Sequence, residues 1–433
     1  MMEKITFENL QETLYHEKLE NGLDVYVLPK RGFSKTYVTF TTKYGSIDSV
    51  FVPRGKEEMV RVPDGIAHFL EHKMFEKEEG DVFQKFGENG ASANAFTSYT
   101  RTSYLFSTTE KLYDNTKVLL DFVQQPYFTE QTVEKEKGII GQEITMYEDN
   151  PDWRLYLGTI QNLYKQHPIH IDILGTYESI DKITADHLYE CYETFYHPSN
   201  MVFFAIGAVD PEEMIEFVKK DQSAKTFSEP EEVVRDKHEE PSEAGIPAKT
   251  INMDVTKPKF SYGMKCDRTN LSGDELLRQE LAVSLAMDIL FGRSSDFYSK
   301  AYAEGWIDES YGYEFNLEKS FGFAVINSDT EHMDELEQLI KTTIQSTAGN
   351  WSISDEDLER ARKKRIGQLM RSLNSIEYIA NQFTHYLFND MNLFDILPVL
   401  EQLDGNDLKE AFGTIADPKS HTVFKITPAG QAK

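Results

Sequence analysis

The sequence predicts an α+β protein built from two similar halves, each combining strands with helices. Two observations carry this. Short runs of β-branched and aromatic residues alternate with longer helical patterns, and their order recurs in the second part of the chain. Between the two occurrences lies an acidic, Pro-containing stretch with the composition of a linker. The expected organisation is 1–226, a linker at 227–249, and 250–433.

A chain of 433 residues is long enough for two or three domains with sizeable cores. With 40% hydrophobic and 12% aromatic residues it can fill those cores rather than remain disordered. The net charge of −28 argues against nucleic acid or an anionic membrane as partner, since both are bound through Lys and Arg. Most of that charge serves solubility, and it is compatible with basic peptides. Cys191 and Cys266 make no disulfide framework and fit a reducing compartment. Cys191 falls in a helical pattern and is expected to be a buried thiol. The first residues resemble neither a signal nor a transit segment, and no run of about twenty apolar residues exists. The expectation is a cytoplasmic protein without a membrane span.

Residues 23–28 alternate after the turn at Asn21-Gly22, and 36–42 follow Gly32 with β-branched and aromatic residues; both read as strands. A loop reaches Pro63-Asp64, where Asp64 is the expected N-cap of a helix. Glu76, Lys77, Glu78 and Glu79 read as a solvated helix end or loop, and 81–86 as a short amphipathic segment. Residues 87–98 are rich in small side chains, which let a backbone come close to something. A strand pattern follows at 99–107, then helical patterns at 112–122, 129–147, 153–164 and 186–196. His167 and His170 fall in a loop and read as surface or packing residues. A buried strand at 201–206 ends at Gly207, and Asp210-Pro211 caps a further helix. The second half shows strands near 260–264, 310–315, 322–327 and 422–426, with helices at 275–291, through Tyr302, and at 333–347 and 355–372.

One helix in the first half carries chemistry: Gly65-Ile66-Ala67-His68-Phe69-Leu70-Glu71-His72. Residues three and four apart share a helix face, so His68, Glu71 and His72 project together while Ile66, Phe69 and Leu70 pack elsewhere. Two imidazoles at i and i+4 can hold one zinc ion, with a Glu in reach of its water. This reversal of His-Glu-x-x-His is among the catalytic zinc patterns. The bland alternative is a solvated helix face. The 129–147 helix sets Glu136 and Glu143 two turns apart on one side, with Val133, Ile140 and Ile144 as a packed stripe. Aligned carboxylates on a helix are usually solvated, so alone they mean little. The small-residue strand could pair edge to edge with an extended peptide, or be an ordinary turn and strand. In the second half, 353–368 matches 128–143 in pattern but offers Ala361 or Arg362, and Gln368 or Leu369, at the two Glu positions. No His lies in 297–304, so a duplication would leave only the first half able to bind metal.

Taken together, these residues resemble the pitrilysin (insulinase) family of zinc peptidases, and its short bacterial members of the mitochondrial-processing-peptidase-like type. The likeness rests on Leu19-Glu20-Asn21-Gly22-Leu23, the motif at 68–72, Asn94-Ala95-Phe96-Thr97, the helix with Glu136 and Glu143, and Tyr196-His197-Pro198-Ser199-Asn200-Met201. It implies a clamshell of two halves, each a largely antiparallel sheet packed with helices, enclosing a chamber. It implies one zinc ion per chain on His68, His72 and Glu143, with a fourth position left for water as in catalytic sites. Glu71 would be the general base on that water, and Glu136 would orient a ligand. Asn94, Ala95 and Phe96 would bind the backbone of an unfolded peptide.

The same resemblance implies an Arg and a Tyr on the opposite wall, holding the substrate carbonyl. This sequence departs there. Tyr302 stands about where the Arg is expected, Tyr311 or Tyr313 could serve as the Tyr, and Arg293 is a weak substitute. The expectation is a dimer, with a related subunit lacking the zinc motif supplying the missing pair as a heterodimer. The expected function is a zinc-dependent endopeptidase acting on unfolded peptides. Two alternatives stay open: a non-catalytic structural or binding subunit of the same fold, and a metal-free acidic scaffold for a basic partner. The intact Glu71 argues against the first.

Overall fold

The computed structural model describes residues 2–78, 80–351 and 353–430. They form two compact units: Met1–Thr145, Ile171–Lys237 and Leu373–Phe388 in the first, and Met146–His170, His238–Ser372 and Asn389–Lys433 in the second.

The first unit is built on a seven-stranded sheet. Its order is Glu3–Phe7, Glu12–Lys18, Asp24–Pro29, Met201–Gly207, Thr36–Thr42, Thr102–Thr108, Ser92–Thr97. All neighbours are antiparallel except Asp24–Pro29 and Met201–Gly207. The central strands Thr36–Thr42 and Met201–Gly207 are buried at every position, which their unbroken apolar and threonine pattern requires. The buried hydroxyls of Thr41 and Thr42 are met by Ser103 Oγ at 2.8 Å and the Phe195 carbonyl at 2.6 Å.

The second unit has five strands in the order Ala248–Met253, His421–Pro428, Lys259–Lys265, Gly322–Asp329, Gly312–Leu317. The first pair is parallel and the rest antiparallel. This repeats, in order and sense, the run from Asp24–Pro29 to Ser92–Thr97 in the first sheet. The repetition read in the sequence is thus a repetition of strand topology. Ser92–Thr97 and its counterpart Gly312–Leu317 each form a sheet edge.

Each sheet is covered by a helix from the other part of the sequence. Pro151–Leu163 lies on Lys259–Lys265 and His421–Pro428 in the second unit. Gly158 faces the Phe424 ring so closely that a Cβ would come within 2.4 Å of it. Thr159 donates to Ser261 Oγ at 2.8 Å, and Asn162 to Thr422 Oγ1 at 3.1 Å. Reciprocally, Ile376–Phe388 lies on Thr36–Thr42 and Met201–Gly207 in the first unit. There Phe383 stacks on Phe204 with centroids 4.7 Å apart and meets Tyr26 edge-on at 5.1 Å.

Residues 227–249 are built into both units despite their linker composition. In the first, Arg235 donates to Asp48 Oδ1 at 2.8 Å with its guanidinium over the Phe195 ring. In the second, the Glu240 carboxylate accepts from the backbone N–H groups of Lys165, Gln166 and His167 and from Lys265 Nζ. His167 is a packing residue, fully buried, with Nε2 3.1 Å from Ser320 Oγ. Cys191 and Cys266 are buried free thiols, and burial pushes Cys191 up to about 12. The sequence reading omitted the strands Glu3–Phe7, Glu12–Lys18 and Ala248–Met253. They lie at or near sheet edges, where exposed positions blur the period-two pattern. It also omitted the helix Ile376–Phe388. No helix of the described residues is long and apolar enough to cross a membrane.

A fragment ending at residue 237 lacks the helix that covers Phe204 and Tyr26. Uncovering large apolar side chains forfeits about 1.5–3 kcal/mol each, a large share of the stability of an ordinary domain. Residues 1–237 expressed alone are expected to be insoluble or to bind ANS as a loosely packed state. Co-expression with 238–433 is expected to restore a soluble complex on gel filtration.

Candidate metal centre

The helix Ile66–Phe75 begins at a backbone lock. Gly65, rather than Asp64, takes the N-cap position, with φ 89°. A Cβ there would lie 2.4 Å from the Leu174 carbonyl oxygen, so only glycine fits. Asp64 pairs instead with Arg61 at 3.1 Å. The helix then buries nine of its ten residues, His72 being the exception. A helix enclosed on nearly all sides holds its side chains in fixed directions.

His68 and His72 point at Glu143 on the helix Glu130–Glu148. Their Nε2 atoms are 3.8 and 3.7 Å from Glu143 Oε2. The three donor atoms lie within 4.8 Å of one another. These separations exceed hydrogen-bond lengths. They approach the edge of about 3.4 Å expected for tetrahedral ligands some 2.1 Å from a shared zinc ion. The donor set, two imidazoles and one carboxylate, suits that ion and leaves a fourth position open. Among the described residues no second group of this kind occurs.

The surroundings prepare the same set. His72 Nδ1 is 3.0 Å from Glu136 Oε1, so the proton sits on Nδ1 and the Nε2 lone pair faces Glu143. His68 is held neutral: burial and the neighbouring His72 push it down to about 3, and its Nδ1 has no hydrogen-bond partner among the described residues. Burial also works against charge on His72. The Glu136 hydrogen bond and the charges of Glu71, Glu136 and Glu143 outweigh it and raise the imidazole above its ordinary value. Glu143 is raised by burial, with Asp172 and Glu136 adding to the effect and His72 opposing it. Carboxylates crowded in this way are relieved by a bound cation.

Glu71 is 8% exposed and is raised by burial, against the charge of His72 and a hydrogen bond donated by Thr97 Oγ1 at 2.9 Å. Among the described residues the strand Ser92–Thr97 pairs only with Thr102–Thr108, which leaves its outer edge open. Asn94 is exposed on it, and its Oδ1 accepts from the Ala95 N–H at 2.9 Å. Phe96 lies under the Arg101 guanidinium. Glu71, His72, Asn94 and Ala95 border a cleft of about 500 Å³ whose apolar lining is the stacked pair Phe75 and Phe83.

The structure brings together His68, Glu71, His72, Glu136 and Glu143, with Asn94 and Ala95 beside them in the same unit. Tyr311 lies in the second unit and donates its hydroxyl to the Phe291 carbonyl at 2.7 Å. There Tyr313 donates to Asp288, Tyr302 is 60% exposed and stacked on Tyr298, and Arg293 is exposed. The run after Phe75 is not simply solvated. Glu76–Lys77 pairs with Gly80–Asp81, and Glu76 binds the buried Lys73. Lys77 donates to the Phe122 and Gln125 carbonyls and is pushed down to about 7 by burial and by Lys73 and Lys85. Glu79 lies outside the described residues. Sequence reasoning quoted Thr97 in the strand motif but gave it no role. Its strand alternation with Ala95 is the signal that could have directed attention to it.

Residues 49–177 match the family model described as Insulinase (Peptidase family M16), and 182–365 match that of the Peptidase M16 inactive domain. The chain belongs to the insulinase (M16) peptidase family. It is 55% identical to the uncharacterized zinc protease YmfH of Bacillus subtilis over 99% of this chain and all of that protein. It is 26% identical to a probable mitochondrial-processing peptidase subunit beta of Arabidopsis thaliana over 75% of this chain and 62% of that one. The crystal structure of a candidate M16-like peptidase from Alicyclobacillus acidocaldarius superposes with TM-score 0.92 at 35% identity, covering 96% of this chain and 99% of that chain. The metal-type cluster lies in the segment matched by the insulinase model, and the segment matched by the inactive-domain model contains none among its described residues.

Two outcomes follow for this M16 site. In the metal-free protein, nitrogen-edited NMR is expected to show His72 more than half protonated at pH 6.5 and His68 still neutral at pH 5. Uptake of a proton by His68 between pH 7 and 5 would contradict the buried neutral assignment. Gly65→Ala is expected to destabilise the protein to urea by about 2 kcal/mol or more, because a left-handed alanine is strained and its Cβ meets backbone.

Proposed function

We propose that this chain is a zinc-dependent endopeptidase that hydrolyses unfolded peptides. The observation that carries the reading is the convergence of His68, His72 and Glu143 on one point, with the buried carboxylate of Glu71 beside them. Those three residues would hold one zinc ion per chain. Zinc, when bound, supplies a Lewis acid that polarises a peptide carbonyl and makes water a nucleophile at neutral pH. Glu71 takes the proton released in the attack and returns it to the leaving amine. Its raised affinity for protons, caused by burial, suits both steps. Glu136 keeps the Nδ1 proton on His72 and so fixes the ring's orientation.

The open edge of Ser92–Thr97 supports binding of an extended peptide by main-chain hydrogen bonds, which selects unfolded chains over folded ones. Asn94 would release the Ala95 N–H to that peptide. The cleft lined by Phe75 and Phe83 has room for a substrate side chain. The names of the relatives, zinc protease and processing-peptidase subunit, agree with the reading. The Tyr311 and Tyr313 hydroxyls are engaged within their own unit, and Tyr302 stands where an Arg was expected. The proposal therefore includes a dimer in which a related subunit without the zinc motif supplies that Arg and Tyr.

Purified protein is expected to bind one zinc ion, measured by ICP mass spectrometry, and to cleave β-casein in its presence, with or without a co-purified related subunit. Glu71→Gln should keep its zinc and lose cleavage by about 10²–10⁴-fold. His68→Ala, His72→Ala and Glu143→Ala should lose the metal, and Glu136→Gln should weaken its binding about 10–100-fold. A wild type that binds no zinc would refute the reading. Zinc without cleavage under every partner condition would favour the non-catalytic subunit instead.

A further inference from the structure

We infer that Thr97 is a positioning residue that holds Glu71 in the orientation its role requires, an inference that rests on the proposed peptidase function. A glutamate carboxylate turns easily, because its terminal torsion has only broad, shallow preferences. Packing confines the Glu71 stem, since the helix around it is buried, but packing alone does not fix the plane of the carboxylate. The hydrogen bond from Thr97 Oγ1 to Oε2, at 2.9 Å, is the one hydrogen bond to this carboxylate among the described residues. It ties down Oε2 and leaves Oε1 to exchange a proton.

Thr97 has no better use for its single proton. Its ladder partner Thr102 gives its own hydroxyl proton to the Tyr44 carbonyl at 2.9 Å, and the two hydroxyls stand 3.4 Å apart. Thr97 is also the last residue of the edge strand Ser92–Thr97, two positions beyond Ala95 and in phase with it. The strand proposed to receive the peptide is therefore the strand that orients the base. A peptide added to that edge would stiffen the backbone carrying the hydroxyl, so docking and base orientation share one rigid element.

The test uses the full chain loaded with zinc, wild type beside Thr97→Val and Thr97→Ser, on an internally quenched peptide taken from a mapped β-casein cleavage site. Thr97→Val keeps the β-branched shape but removes the donor. It is expected to lower kcat about tenfold or more with KM and zinc content unchanged, while Thr97→Ser retains most of kcat. A second readout needs no activity. In the metal-free protein, the Glu71 carboxylate stretch, assigned by infrared difference against Glu71→Gln, is expected to shift in Thr97→Val and to stay in place in Thr97→Ser. An unshifted band, a kcat within twofold of wild type, or equal losses in both variants would overturn the role of Thr97 while leaving the peptidase reading intact. A wild type that binds zinc yet cleaves no casein would remove the peptidase reading and this inference with it.

Discussion

The metal-type cluster is framed by close approaches at two glycines, of which Gly65 also needs a left-handed backbone. Gly65 presses against the Leu174 carbonyl at the start of the helix Ile66–Phe75. Gly141, on the helix Glu130–Glu148, lies under the Tyr177 ring, where a Cβ would come within 2.8 Å of the ring carbon. Tyr177 also donates its hydroxyl to the Gly141 carbonyl. The short segment 174–177 thus touches both helices. It links the one carrying His68 and His72 to the one carrying Glu143. Hydrogen bonds across the donor set are absent at 3.7–3.8 Å, so the spacing comes from the scaffold rather than from the donors' attraction.

That scaffold holds an electrostatic arrangement that is costly unless completed. Glu71 and Glu136 are buried beside an imidazole, and Glu143 is half-buried. Desolvation raises Glu71 and Glu143 and pushes His68 down to about 3. Buried charges in native proteins are paired or coordinate metals, because an unpaired one forfeits its hydration without return. A neutral His68, a tautomer-fixed His72 and crowded carboxylates form a set whose energy falls when a cation enters. The same burial gives Glu71 its affinity for a proton, so stability and proposed chemistry draw on one cause.

The two units share a strand order, yet among the described residues only the first carries this set. The strand orders coincide, and the edge strand Ser92–Thr97 has its counterpart in Gly312–Leu317. The helix corresponding to Glu130–Glu148 carries Ala361, Arg362, Gln368 and Leu369 where the carboxylates would fall. Arg362 there donates to the Leu400 and Leu403 carbonyls, tying helices together rather than facing a ligand. Each unit takes its covering helix from the other part of the sequence, so each sheet's core is completed by residues far away along the chain.

Much of this was legible in the residues themselves. Helical spacing put His68, Glu71 and His72 on one face and aligned Glu136 with Glu143, because a helix obeys a local period whatever surrounds it. Long apolar patterns located the central strands and most helices for the same reason. The strands Glu3–Phe7, Glu12–Lys18 and Ala248–Met253 and the helix Ile376–Phe388 were missed, since their identity rests on partners remote in sequence. The N-cap went to Gly65 rather than Asp64 because of a loop more than a hundred residues away. The sequence by itself determined which side chains share a helix face and that the architecture is doubled. Tertiary structure alone decided that His72 hands its Nδ1 to Glu136, that Thr97 reaches Glu71, and that the donors stand at their separation. Those are distances between elements, and they are set by packing and by glycine contacts that no local period encodes.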